Sequence, residues 1–255
     1  MAGPRSVPFN RIADTYDTTR GGVERGGRIA AGIAPWLRPG PVLEVGIGTG
    51  AVARPLTDLG HPVVGLDLSA AMLRGARRRL GPRVAAGDAH APPIRSRSVP
   101  NVVVVWVTQL VPDLTAFLRS AGRLLAPGGR LVVVPAGPPP GDDEIGAIVR
   151  PMSEALRPRR DAPEMIAAAA ADADLRVAAT ATGGRDDVWH ASPTEEADQI
   201  EARSWSTLWD LTDDSWDRHV APAIAALRGL PDPDRVRTRP GRFEVVVLEH
   251  EPATA

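Results

Sequence analysis

The stretch Pro41-Val42-Leu43-Glu44-Val45-Gly46-Ile47-Gly48-Thr49-Gly50-Ala51 decides the fold. It reads as an apolar strand carrying one carboxylate, a turn with glycine at alternate positions, and the start of a helix. Glycine has no Cβ, so the turn can take positive φ and a ligand can rest directly on the peptide planes. The helix that follows turns its unpaired N–H groups toward the same place. Glu44 adds a negative charge that repels a pyrophosphate and suits an ammonium group.

Gly46, Gly48 and Ala51 also satisfy the spacing of a dinucleotide fingerprint, so the turn alone leaves two ligand classes open. The segments downstream separate them. Val63-Val64-Gly65-Leu66-Asp67-Leu68-Ser69 reads as the next strand, ending in an acid able to accept both hydroxyls of a ribose. Val84-Ala85-Ala86-Gly87-Asp88-Ala89 reads as a third strand with a second terminal acid. Residues 102–107 are a fourth apolar run, and 124–134 read as a helix end, a Pro-Gly-Gly turn and a fifth strand. This ordered set resembles a class I S-adenosylmethionine-dependent methyltransferase, over residues 9–135. The resemblance is of the small-molecule, actinobacterial type. It implies an α/β fold: a doubly wound, mostly parallel seven-stranded sheet, Rossmann-like, with helical cap insertions. It also implies S-adenosyl-L-methionine as cofactor.

Composition narrows the function. The chain has 255 residues, an apolar fraction of 43% and a formal net charge of −1, which predicts an ordinary buried core and no electrostatic footprint for nucleic acid or membrane. No apolar run reaches transmembrane length, and the N-terminus lacks a signal-peptide core, so a cytoplasmic location is expected. Cysteine is absent, which excludes disulfides, thiolate metal sites and thiol nucleophiles. Lysine is absent too: all 30 basic residues are arginine. That excludes a P-loop lysine and Schiff-base chemistry. An Arg-, Ala- and Pro-rich chain without lysine fits a GC-rich, actinobacterial genome.

Three regions are expected: N-terminal helices over the site (1–40), a cofactor-binding core (41–135), and the rest of the same sheet with cap helices (136–255). Helices are predicted over 9–20, 23–37, 50–59, 70–80, 112–126 and 163–173, and late strands over 175–182 and 243–249. The cap is expected at 143–157 and at 193–230, the latter carrying Trp205, Trp209 and Trp216. This is one domain with a cap. Arg74, Arg77, Arg78 and Arg79 read as a solvated helix face.

In the family resembled, the turn Gly46, Ile47, Gly48 and Gly50 cradles the methionine part of the cofactor and Glu44 helps hold its amino-acid end. Asp67 takes the ribose. Asp88 and the Ala89 backbone take the adenine edge, with Leu68 and Met72 packed on the ring. The end of the fourth strand, with Val107, faces the transferable methyl. The segment from Phe9 to Asp17 resembles an N-terminal helix that closes over the cofactor, with Tyr16 as cover and Arg20 paired to a carboxylate. The residue-level alternatives are plain: Asp67 as a helix N-cap, Leu68 and Met72 as core, Tyr16 as core and Arg20 as solvated.

No catalytic triad is visible, and methyl transfer does not demand one, because alignment of nucleophile, methyl and sulfur supplies much of the acceleration. The catalytic candidates are Gln109, where many relatives carry a histidine, and His190 beside Trp189; His90 and His219 read as loop and helix-surface residues. No metal site is assigned, for lack of clustered acids. The element that grips a flipped base and the paired glutamates of arginine methylation are not visible. A small organic acceptor remains: a quinone, phenol, polyketide, sugar or amine. The oligomeric state, a homodimer included, is left open. Two other functions compete: a cofactor-binding protein without methyl transfer, and an NAD(P)-dependent oxidoreductase, against which Glu44 argues.

Overall fold

β-branched runs bounded by turns become strands when both faces can be covered. Val102, Val103 and Val104 are such a run, and all three are wholly buried. Burying one such side chain is worth about 1.5–3 kcal/mol, so this strand anchors the sheet. The computed structural model describes residues 6–136, 143–156, 160–184 and 188–251.

In chain order the elements are α1 (Ser6–Ile12), α2 (Tyr16–Thr19), α3 (Gly22–Ile33), β1 (Val42–Val45), α4 (Ala53–Asp58), β2 (Val63–Asp67), α5 (Ala70–Leu80) and β3 (Val84–Ala86). Then come β4 (Val99–Val105), α6 (Leu114–Gly122), β5 (Leu125–Val134), α7 (Glu144–Leu156), α8 (Pro163–Ala171) and β6 (Leu175–Gly183). The chain finishes with β7 (Val188–Ala191), α9 (Pro193–Glu201), α10 (Asp213–Ser215), α11 (Ala221–Arg228), β8 (Arg237–Pro240) and β9 (Phe243–His250). They fall into two units: Met1–Ala136 with Asp161–Gly183 and Phe243–Ala255, and Gly137–Arg160 with Gly184–Arg242.

The first unit holds a seven-stranded sheet in the order β3-β2-β1-β4-β5-β9-β6. β1 to β5 pair in parallel, and β9 runs antiparallel to both neighbours. This is the doubly wound, mostly parallel sheet expected from the sequence. Strand order reverses between β1 and β4, and open α/β sheets bind ligands at such a point, beyond the carboxyl ends. Helices cover both faces. Leu56, Leu73 and Ile33 lie in one layer, and Phe117, Leu118 and Ile166 in the other. Phe243 wedges between α3 and β6: a Cβ at Gly32 would meet its ring at 2.5 Å, and one at Gly183 at 2.3 Å.

The second unit has its own core, including Ile145, Val149, Ile200, Leu208, Val220 and Leu227. It is wider than the two cap segments expected, because β7 and β8 form an antiparallel ribbon the sequence did not suggest. Arg239, 3% exposed, stacks on Trp189 at 4.7 Å and pairs with Asp143 and Glu196. A polar strand is thereby stabilised by partners distant in sequence.

Several boundaries differ from expectation for local reasons. The first helix is broken in two at Thr15. α3 ends at Ile33 and passes into a short tight turn, Ala34–Trp36, since Pro35 has no N–H to continue the helix. α4 begins late because the glycine turn runs on through Gly50, at φ 79°. α6 is shorter than 112–126: Asp113 caps its start through Ala116 N–H at 2.9 Å, and Leu125 already belongs to β5. Among the described residues no helix is long and apolar enough to cross a membrane.

The entry to β1 is pinned by one buried amide. Asn101 of β4 accepts from Arg38 N–H at 2.7 Å and donates to the Arg38 and Pro41 carbonyls at 2.9 and 3.2 Å. Asn101→Ala leaves these backbone groups unpaired, which should remove about 1–3 kcal/mol. A lower urea midpoint at unchanged slope is the expected outcome, and an unchanged midpoint would show that the amide is not a tether.

Candidate functional site

The site grows from the turn after β1. Gly46 N–H and Ile47 N–H both donate to the Leu66 carbonyl, at 2.8 and 2.9 Å, so the turn is fastened to the end of β2. Gly46 sits at φ 76°, where a Cβ would also collide with Val107 Cγ2 at 2.3 Å. Glycine is therefore required twice over, by conformation and by space. It brings the turn against the segment that follows β4.

Gly48 is different. It also has positive φ, 57°, but a Cβ there would meet nothing within 4 Å. Its bare backbone faces open space. Gly48 N–H donates to Asp67 Oδ2 at 2.8 Å, and Ser69 N–H donates to Asp67 Oδ1 at 2.7 Å. Each carboxylate oxygen keeps a further lone pair, so Asp67 can still accept two hydroxyls. Burial raises its pKa, and the backbone donors of Ser69, Gly48 and Leu68 oppose that rise. Asp67 is no N-cap of α5, because Ser69 fills that role through Met72 N–H at 3.1 Å.

Glu44, on β1, is 2% exposed, and its Oε2 is buried with no hydrogen-bond partner. Burial first, and the charge of Asp67 second, push its pKa up to about 8. A buried acceptor without a donor, beside an open glycine turn, fits a ligand bearing an ammonium group.

The other expected positions divide. Leu68 is 43% exposed, open for ring packing, whereas Met72 is 2% exposed and belongs to the core beneath. Gly87 N–H bonds the Asp67 carbonyl at 3.1 Å, which sets Asp88 and Ala89 beside Asp67. Asp88 Oδ1 accepts from His90 N–H at 2.8 Å and lies 3.2 Å from His90 Nδ1, so that oxygen serves its own loop. Gln109 turns back, donating to the Trp106 carbonyl at 3.3 Å. His190 lies exposed on β7 in the second unit, 3.5 Å from Thr238 Oγ1.

The N-terminal segment is clasped onto this floor by residues that the sequence reading passed over. Asn10 Oδ1 accepts from Ser69 Oγ at 2.7 Å and Ala71 N–H at 3.2 Å, tying α1 to the start of α5. Thr49 Oγ1 donates to Asp17 Oδ1 at 2.6 Å, and Arg79 joins Asp17 Oδ2 at 2.6 Å to the Thr49 carbonyl at 2.7 Å. Arg79 is therefore no member of a solvated face. A hydroxyl inside the glycine turn was the available signal, but its partner lies 32 residues away. Tyr16 packs between Phe9 and Arg20, at 6.4 and 5.9 Å, and its pKa is raised by burial. Burial lowers that of Arg20.

Residues 43–133 match the family described as a methyltransferase domain. The demethylmenaquinone methyltransferase of Tropheryma whipplei is 35% identical over 136 residues, covering 49% of this chain and 56% of the relative. Nocamycin O-methyltransferase of Saccharothrix syringae is 34% identical over 160 residues, covering 55% and 56%. The chain thus spans little more than half the length of these relatives. The solved structure of an S-adenosylmethionine-dependent methyltransferase from Thermotoga maritima superposes with a TM-score of 0.58 at 19% identity, covering 96% of this chain and 99% of that one. At that identity the likeness shows the fold.

Glu44 makes stability depend on pH. Its pKa is about 8 when folded against an ordinary 4.5, so between those values the folded protein keeps a proton that the unfolded chain has lost. Stability therefore falls as pH rises from about 4.5 towards 8. Glu44→Gln should flatten that slope and stabilise the ligand-free protein at neutral pH by up to about 3 kcal/mol. Thermal melts across that range are the check. Parallel slopes for the two proteins would mean that Glu44 is ionised when folded.

Proposed function

We propose that the protein is an S-adenosyl-L-methionine-dependent methyltransferase acting on a small organic acceptor. The observation that carries this reading is the buried Glu44 Oε2, without a donor among the described residues, beside the open Gly48 turn. Bound S-adenosyl-L-methionine supplies a methyl group on a sulfonium, ready for in-line displacement. Glu44 ionises to meet the amino group, Gly46 to Gly50 carry the amino-acid portion on bare backbone, and Asp67 accepts from the ribose. Leu68, Asp88 and Ala89 border the adenine, and Tyr16 and Arg20 cover the amino-acid end. Holding donor and acceptor in line is the main contribution of such a site to rate. The two relatives, named for demethylmenaquinone and nocamycin, support a small acceptor.

Calorimetry with S-adenosylmethionine, S-adenosylhomocysteine and NADH tests the reading directly. The first two should bind and NADH should not; NADH binding alone would replace the reading with an oxidoreductase. Asp67→Ala should weaken binding by about 1–3 kcal/mol. Gly48→Val should abolish it while thermal unfolding stays cooperative, since a branched side chain is strained at φ 57° and would also fill the space above the turn. Titrations in buffers of different ionisation enthalpy should reveal a proton released on binding near neutral pH, absent in Glu44→Gln. No difference between buffers would remove Glu44 from the site.

A further inference from the structure

One group of residues at the strand-order reversal has no part in the binding described above. Trp106 follows β4 and precedes Val107, the residue that Gly46 touches, so it stands at the carboxyl edge across from the glycine turn. Its φ is 55°, a conformation that costs a bulky residue about 1–3 kcal/mol and persists where the surroundings enforce it. Here they do: Trp106 N–H donates to the Val134 carbonyl at 2.9 Å, and Gln109 holds the Trp106 carbonyl. The indole Nε1 is buried with no hydrogen-bond partner among the described residues.

The guanidinium of Arg25, on α3, lies 3.9 Å from the centroid of the Trp106 ring. The next residue, Gly26, packs so closely on the turn that a Cβ would meet the Ala51 carbonyl oxygen at 2.0 Å, which fixes α3 against the site. The Arg25 side chain makes no ion pair or hydrogen bond among the described residues. The titratable groups around it are Tyr16, which burial keeps neutral, Arg20 and Arg28, and burial lowers its pKa to about 10. Arg28 is paired with Glu24, Asp17 with Arg79, and Asp67 with backbone donors. Among the described residues no carboxylate neutralises Arg25. Two donors with no acceptor, one of them cationic, favour an oxyanion and repel a protonated amine.

We propose that Arg25 and Trp106 bind the acceptor's reacting oxygen, and that the acceptor is a phenol or enol taken up as its anion. The inference rests on the methyltransferase reading and narrows its substrate class. Magnitudes select that class. A nearby cation lowers an acidic pKa by about 1–3 units, which brings a phenol, near 10, close to neutrality and leaves an alkyl alcohol far out of reach. The step then balances without a protein base. The hydroxyl proton passes to solvent on binding, an oxygen lone pair forms the O–CH₃ bond, and the S–CH₃ bond breaks with its electron pair kept by sulfur. A methyl ether and S-adenosylhomocysteine result, with no proton left to remove.

The test uses the full chain saturated with S-adenosylhomocysteine, and para-nitrophenol buffered below its own pKa, where the free compound is mostly neutral and colourless. Binding to the wild type should produce the yellow phenolate. Arg25→Met should weaken that signal about tenfold, the effect of one pKa unit, Trp106→Phe should weaken it less, and Arg25→Lys should restore part of it. S-adenosylhomocysteine affinity, measured first, should be kept in all of them, which also shows that they fold. Colourless binding, no uptake of the phenol, or an undiminished phenolate signal in Arg25→Met and Trp106→Phe overturns the proposal. Failure of the wild type to bind S-adenosylhomocysteine overturns the methyltransferase reading beneath it, and the two failures are read at separate steps.

Discussion

The rest of the site depends on the Asp67 carboxylate, held between two backbone N–H groups. One comes from Gly48 in the turn after β1 and one from Ser69 at the start of α5. Charge-assisted bonds of this kind are short and stronger than neutral ones. The pair locks the ends of β1 and β2 into one register and leaves half of the carboxylate's lone pairs for a ligand. The open floor over Gly48 follows from the positive φ that this register requires. So does the position of Glu44, buried close enough to Asp67 for the two charges to oppose each other.

Around that floor the polar groups are distributed unevenly. The acids lie toward the carboxyl ends of β1, β2 and β3, in Glu44, Asp67 and Asp88, with Glu44 held protonated by its burial. Positive charge lies on the N-terminal helices and α3, in Arg20 and Arg25, and its burial is visible in the lowered pKa of both. A zwitterionic amino acid matches such a division, with its ammonium toward Glu44 and its carboxylate toward Arg20. The charge of Arg25 is then left over, stacked on an indole whose own N–H is unpaired. Burying such groups costs stability, a pattern common at binding sites.

The sheet and its glycine turn were legible because they are local. Alternating apolar runs, glycine spacing and strand-end acids all lie within a few residues of the groups they organise, and a parallel sheet follows from the alternation of strand and helix. The helix ends were less legible, since Pro35, Gly50 and Asp113 stop or start helices through backbone geometry that periodicity does not report. The β7–β8 ribbon was illegible for a different cause. Its strands are short and polar, and the pairing that makes them strands joins residues some 50 positions apart, such as Trp189 and Arg239.

The amino-acid sequence by itself determined the class of sheet, the glycine turn after its first strand and the acids at the strand ends, because each is written in a short segment with its own steric logic. Only the tertiary structure decided which polar groups are already used and which are left over. Arg79 and Thr49 are consumed in clasping Asp17, and Asp88 gives one oxygen to its own loop. Glu44 Oε2 and the Trp106 indole N–H have no hydrogen-bond partner among the described residues. Whether a hydrogen-bonding group is satisfied depends on what the fold brings to it from far along the chain, and no local pattern carries that information.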